Sequence, residues 1–484
     1  MYRTNLNSIK KRFLFLLLFF SAAGVLFAQS YQVELTVHNQ PQNTIVLGKI
    51  KGDKFTPVDT FNIQKNSFGT QIKQYGFTLP ESGSPLMYRI ILGQTTYARV
   101  MNKPPQQFDL IFNNENIKIE TVFKFPDDSL IVHKSVENKV WYSFLHQEKG
   151  FQKQLSELKM EIDYYQQNKN GNPKQDSLLT DCINRYNKLQ KERDLLIDNI
   201  VKTNPNLFAT GLIKLYHEPF LDGNLTLQQR NENFKSNYFN GLDFSDETLI
   251  NTPVYTQRVF RYLSGAKMQG ATRETIEQQF MTDVDVILAN TNNNAAVHDF
   301  ILDYLVRGFE KMNLENVIAY IAENYTETAC QTNEKSTLKR KLEWQKMKIG
   351  DPVLDFVLND IKGDPVQLSQ VLKKQNLILF WASWCPHCTM LIPEIKQWQK
   401  QAKINDFEII AVSLDDSETE WKNKVFTMGT ESWYNLSDLK KWDGKVATDY
   451  NIYATPTMFL IDKEMKIIAK PISFDELIKI ISGE

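Results

Sequence analysis

The sequence predicts a multidomain α+β chain, with an N-terminal β-rich domain, a central α-helical domain and a C-terminal α/β domain. Three observations predict it. Apolar residues alternate with polar ones up to about residue 125, recur at helical spacing from about Asp127 to Lys348, and then fall in strand-like and helix-like runs that alternate. At 484 residues the chain is too long for one ordinary domain.

The N-terminus reads as an export signal over residues 1–28. Lys10, Lys11 and Arg12 precede an apolar run from Phe13 to Phe20, small residues follow, and cleavage is expected after Ala28. Leu26 departs from the small residue usual at its position, and no Cys follows to carry a lipid. An uncleaved membrane anchor is the alternative, although the run to Ala28, about 16 residues, is short for a span of about 20. The segment holds four bases and no acid, so the remainder has 52 Lys+Arg against 57 Asp+Glu, a net charge of −5. That balance does not indicate nucleic acid or an anionic membrane as partner.

Residues 29–125 form the expected β-rich domain, a small sandwich or open sheet. Tyr31, Val33, Leu35 and Val37 alternate, Thr44–Ile50 is a second β-rich run, and Gly52-Asp53, Ser82-Gly83 and Pro104-Pro105 mark turns. Residues 126–345 form the expected helical domain. Cys182, Tyr186, Leu189, Leu196 and Ile200 share a helical stripe, as do Phe300, Ile301, Tyr304, Leu305 and Phe309, and Asn168–Pro173 reads as a connection. Cys182 reads as a small core residue, and Cys330 lies in a polar stretch; a disulfide between them is left open.

Residues 346–484 form the third domain, which Pro352 separates from the preceding helix. Val366–Leu368, Leu377–Trp381 and Phe407–Ser413 read as strands and Glu418–Met428 as a helix. Met458–Ile461 with Lys466–Ala469 reads as a hairpin, and Phe474–Ile481 as a closing helix.

Chemistry concentrates where the strand ending at Trp381 gives way to a helix. There Trp384, Cys385, Pro386, His387 and Cys388 place two thiols one helical turn apart. The attacking species in disulfide exchange is the thiolate, and the unpaired amides and positive dipole end of a helix start favour it. His387 can add a hydrogen bond or a positive charge, and Cys388 is placed to resolve a mixed disulfide. Zinc would need further ligands, but no second Cys-x-x-Cys pair exists and the other five His lie in the first 300 residues. No metal or cofactor is implied. An inert structural disulfide is the remaining alternative.

These residues resemble the thioredoxin superfamily: the Trp-Cys-Pro-His-Cys motif, Pro393 five residues beyond it, and Thr455-Pro456 before a strand. The lead-in from Pro352 through Asp355, Phe356 and Asp360, then Gly363 and Val366–Ser369, is similar to the TlpA/ResA branch of periplasmic oxidoreductases. The resemblance covers about residues 346–484. It implies a thioredoxin fold, catalytic Cys385 and Cys388, a helix kinked at Pro393, a cis-proline at Pro456, and a Thr455 backbone that hydrogen-bonds substrate. Two acids found in relatives are replaced by Leu379 and Leu391, which leaves Cys388 without an obvious internal base.

The expected function is exported thiol–disulfide exchange with protein disulfide or dithiol partners, in the periplasm. Pro386-His387 is the dipeptide of DsbA-like oxidants, whereas Thr455 before the cis-proline is that of reducing and isomerising relatives. The branch as a whole favours a reductant supplied by an electron donor in the membrane. A DsbA/DsbC-like oxidase or isomerase, a partner-binding protein whose Cys pair only senses redox state, and a thiol peroxidase are the alternatives. The leading regions resemble uncharacterised segments that precede such domains in exported bacterial proteins, which supplies no chemistry.

Overall fold

The computed structural model describes residues 29–482 apart from 64–70, 169–170, 266–269, 327–336 and 403–405. The expected leader at 1–28 and Cys330 lie outside the described residues.

By its contacts the chain divides into two compact units, residues 1–266 and 267–484. The first unit opens with eight strands: β1 Ser30–His38, β2 Thr44–Lys51, β3 Lys54–Asn62, β4 Ile72–Pro80, β5 Leu86–Gly93, β6 Gln106–Phe112, β7 Ile117–Val122 and β8 Ile131–Lys134. They form two four-stranded sheets, β4-β1-β7-β8 and β3-β2-β5-β6. The alternation read in β1 is the observed pattern, with Val33, Leu35 and Val37 buried. Gly52 turns the β2–β3 hairpin at φ 60°, a left-handed conformation that costs glycine little. A short helix at Thr96–Val100 was not expected in this β-rich region.

Two long helices follow, Val136–Gln167 and Pro173–Thr203. Ser135 caps the first by accepting from the Asn138 amide at 2.9 Å. The Asn138 side chain bonds both the amide and the carbonyl of Ile111 on β6, at 2.9 and 2.7 Å. A buried bidentate pair, Arg193–Glu148 at 2.8 Å, ties the two helices together. In the second helix Cys182, Ile183, Tyr186, Arg193 and Ile197 are buried, whereas Leu189, Leu196 and Ile200 of the expected stripe are half-buried.

The division falls inside 126–345, the stretch expected as one helical domain, because its helices pack into different cores. The Val136–Gln167 helix is held to β6 as described. Near the other end, the Arg340 guanidinium donates to the Ile452 carbonyl at 3.2 Å, and Trp344 lies in the core of the second unit.

That second unit holds helices at Arg273–Asn290, Ala295–Lys311, Glu315–Tyr325 and Thr337–Lys346, then a seven-stranded sheet. Its strands are β9 Val357–Asp360, β10 Pro365–Gln367, β11 Gln375–Trp381, β12 Phe407–Ser413, β13 Tyr434–Ser437, β14 Thr457–Asp462 and β15 Ile467–Ala469, in the order β10-β9-β13-β12-β11-β14-β15. β11, β12 and β13 run parallel, and β14 lies antiparallel to β11. β11 is buried from Asn376 through Trp381, as expected of a strand covered on both faces. The helix Pro386–Ala402 makes the crossover from β11 to β12. The strands β9 and β13 and the helix Lys445–Asp449 were not read from the sequence.

Candidate active site

The thiol pair stands where β11 leaves the sheet. The chain turns through Ala382–Trp384, with the Cys385 amide donating to the Ala382 carbonyl at 3.2 Å. The helix starts at Pro386, and a proline suits that first position because its missing N–H would have no partner inside the helix. Cys385 and Cys388 are bonded as a disulfide with their Cα atoms 5.3 Å apart.

The two cysteines differ slightly in exposure and in their partners. Cys385 is 4% exposed and Cys388 0%. The Cys388 amide donates to the Cys385 sulfur at 3.1 Å. Once the pair is reduced, the same amide favours the thiolate of Cys385 over its thiol. The Cys385 sulfur also lies 3.4 Å from the Thr455 carbonyl, and the Thr455–Pro456 peptide is cis. Thr455 and Pro456 thus stand against the reactive sulfur.

Around the pair, Pro386 and His387 are exposed. Trp384 is 45% exposed and lies against Trp442, with ring centroids 6.1 Å apart. The structure therefore brings together Trp384, Cys385, Pro386, His387, Cys388, Thr455 and Pro456. Pro393 lies inside the active-site helix. Leu379 is fully buried in β11 and Leu391 half-buried. Glu394 is exposed on the helix.

One acidic residue went unread in the sequence. Asp415, just past β12, is 1% exposed and accepts hydrogen bonds from Ser383 and Ser413. Its only signal was an Asp-Asp pair following an apolar strand, which reads as an ordinary strand end.

Cys182 is a buried free thiol, its sulfur 3.1 Å from Glu161 Oε2, and burial pushes its pKa up to about 11. A thiol so held is a poor nucleophile. Among the described residues no group of three or more His, Cys, Asp or Glu is gathered to hold a metal ion.

A cysteine pair at a helix start, beside a cis-proline and following an interior strand of a mixed sheet, is the arrangement of a thioredoxin-fold site. Residues 349–470 match the AhpC/TSA family. The thiol-disulfide oxidoreductase ResA of Bacillus cereus is 32% identical over 128 residues, covering 26% of this chain and 70% of that protein. ResA of Bacillus subtilis is 29% identical over 119 residues, covering 25% and 64%. A solved thiol-disulfide oxidoreductase from Bacteroides fragilis is 27% identical and covers 28% of this chain and 98% of that one, with a TM-score of 0.26. The chain belongs to the ResA-like thiol-disulfide oxidoreductases of the thioredoxin superfamily, and it is an oxidoreductase.

Proposed function

We propose that the protein is an exported reductant of protein disulfides, acting through Cys385 and Cys388. The thiolate of Cys385 attacks one sulfur of a partner's disulfide, forms a mixed disulfide and expels the partner's other sulfur as a thiolate. The thiolate of Cys388 then attacks the Cys385 sulfur, releasing the partner's second thiolate and leaving the Cys385–Cys388 disulfide. Two electrons pass to the partner, and a dithiol donor on the membrane restores the pair.

The observation that carries this reading is the Cys388 amide 3.1 Å from the Cys385 sulfur at the start of a helix. It favours an ionised attacking sulfur with its resolving partner one turn away. Trp384, Pro386 and His387 flank Cys385 in the chain and are exposed, and the Thr455 carbonyl beside Pro456 offers a strand-like hydrogen bond to an incoming segment. Export to the periplasm is supported by the basic, apolar and small-residue runs of residues 1–28. Retention by an uncleaved anchor is the other outcome those residues allow. Among the described residues no helix is long and apolar enough to cross a membrane.

Pro386-His387 favours a second reading, an oxidant that gives its disulfide to folding proteins. Insulin reduction with dithiothreitol as electron source tests the proposal, with Cys385→Ser as the control. Wild type should accelerate insulin precipitation and the variant should not. An inactive wild type that instead consumes peroxide would contradict the proposal and make the protein a thiol peroxidase.

A further inference from the structure

A buried carboxylate stands behind the active-site loop. β11 and β12 run parallel with Trp381 opposite Ser413, and the Leu414 amide donates to the Trp381 carbonyl at 2.8 Å. Both chains therefore leave the sheet side by side, which sets Asp415 against Ser383, two residues before Cys385. The Ser383 amide donates to Asp415 Oδ2 at 3.0 Å and its hydroxyl to Oδ1 at 2.5 Å. The Ser413 hydroxyl donates to Oδ2 at 2.6 Å and accepts from the Asp415 amide at 3.0 Å. The Ser413 carbonyl is held in turn by the Ser437 hydroxyl at 3.0 Å.

Among the described residues each hydrogen bond to the Asp415 side chain comes from a donor, Ser383 or Ser413, as a carboxylate requires. Among the described residues no Lys, Arg or His pairs with it; the nearby Lys441 pairs instead with Asp416, at 2.6 Å. A fixed negative charge that is 1% exposed is poorly screened by solvent. Like charges disfavour one another, so this carboxylate opposes the ionisation that the helix start and the Cys388 amide promote at Cys385.

We propose that Asp415 is a positioning residue of the exchange site, which holds the Ala382–Trp384 loop through Ser383 and by its charge makes the Cys385–Cys388 pair more reducing. The proposal rests on the reading of that pair as a working dithiol. The sign follows from the reduced state. Destabilising the thiolate destabilises the reduced form and lowers the potential, so removing the charge raises it. Asp415 thereby acts against the oxidising tendency of Pro386-His387, and it is supplied by the neighbouring strand rather than at Leu379 or Leu391.

The test equilibrates the full chain with glutathione buffers as wild type, Asp415→Asn and Ser383→Ala, scoring the Cys385–Cys388 disulfide by mass after trapping. Asp415→Asn keeps the size and removes the charge. It should shift the equilibrium with glutathione about three- to tenfold toward the dithiol, about 15–30 mV more oxidising. Ser383→Ala keeps the charge and removes one donor, so its potential should equal that of wild type or fall below it. An unchanged potential in Asp415→Asn overturns the proposal, as does a rise of equal size in both variants, which would signal loop disorder alone. Should Asp415→Asn fail to fold, a rise in Ser383→Ala by itself overturns it. These potentials can be read without a substrate. Wild type inactive on insulin refutes the proposed function and leaves the Asp415 measurement standing.

Discussion

Replacing Cys388 by serine separates the two halves of the exchange. Cys388 is 0% exposed and Cys385 4%, and the Cys385 sulfur lies against the Thr455 carbonyl and receives the Cys388 amide. An incoming disulfide therefore meets Cys385 first. A thiol with the ordinary pKa of about 8.5 is only about 3% ionised at pH 7, and each unit of depression raises that fraction up to about tenfold. In wild type the mixed disulfide is then attacked from within the same helix turn, since the two Cα atoms are 5.3 Å apart. Well-oriented intramolecular groups reach effective concentrations of about 10⁵ M or more. Even an effective concentration of about 1 M exceeds about 1 mM external thiol by roughly a thousandfold. Reduced protein mixed with glutathione disulfide, quenched with acid and weighed intact, reads the outcome. Cys388→Ser should carry one glutathione that persists on the order of 10³ times longer than in wild type. Cys385→Ser should carry none over the same interval. Glutathione appearing on Cys388 of Cys385→Ser at a comparable rate would refute the assigned order of attack, and so would release from Cys388→Ser as fast as from wild type.

Elsewhere the fold makes predictions of its own. His298 is buried, neither ring nitrogen is hydrogen-bonded among the described residues, and burial holds its pKa below the usual imidazole value, against a smaller opposing effect of Asp299. The unfolded chain then takes up the proton first, so stability should fall as pH drops below about 6.5, and His298→Phe should flatten that part of a melting-temperature profile. Equal slopes in the two proteins would contradict this. Arg193→Met leaves Glu148 charged and buried without its partner, which should cost about 3–5 kcal/mol in urea denaturation. The double variant with Glu148→Leu should recover most of that loss.

The parts of the fold read from sequence are those in which one period dominates. Phe407–Ser413 and Glu418–Met428 stand at the bounds expected of them. Five of the seven residues of β12 are apolar, and Ser417 caps the following helix by accepting from the Glu420 amide. The four-residue strands β9 and β13 offer too little pattern to separate from loop. They are strands because of their partners: β9 pairs with β10 and β13, and β13 also pairs with β12. The helical stretch hid its division for a related reason: periodicity identifies a buried face but does not say which core receives it.

The site was legible wherever its chemistry is local. Cys385, Cys388 and their neighbours are contiguous, so the sequence places them on one helix start. Thr455 and Pro456 entered through the family resemblance. Asp415 depends on the register that sets Trp381 opposite Ser413, a tertiary fact that no run of residues announces.

The most direct test of the central claim is the reduction potential of the Cys385–Cys388 pair in the full chain, equilibrated against glutathione and thioredoxin standards. A reductant that draws on a dithiol donor should give a value well below about −200 mV. A value near about −120 mV would contradict the claim and make the protein an oxidant of its partners.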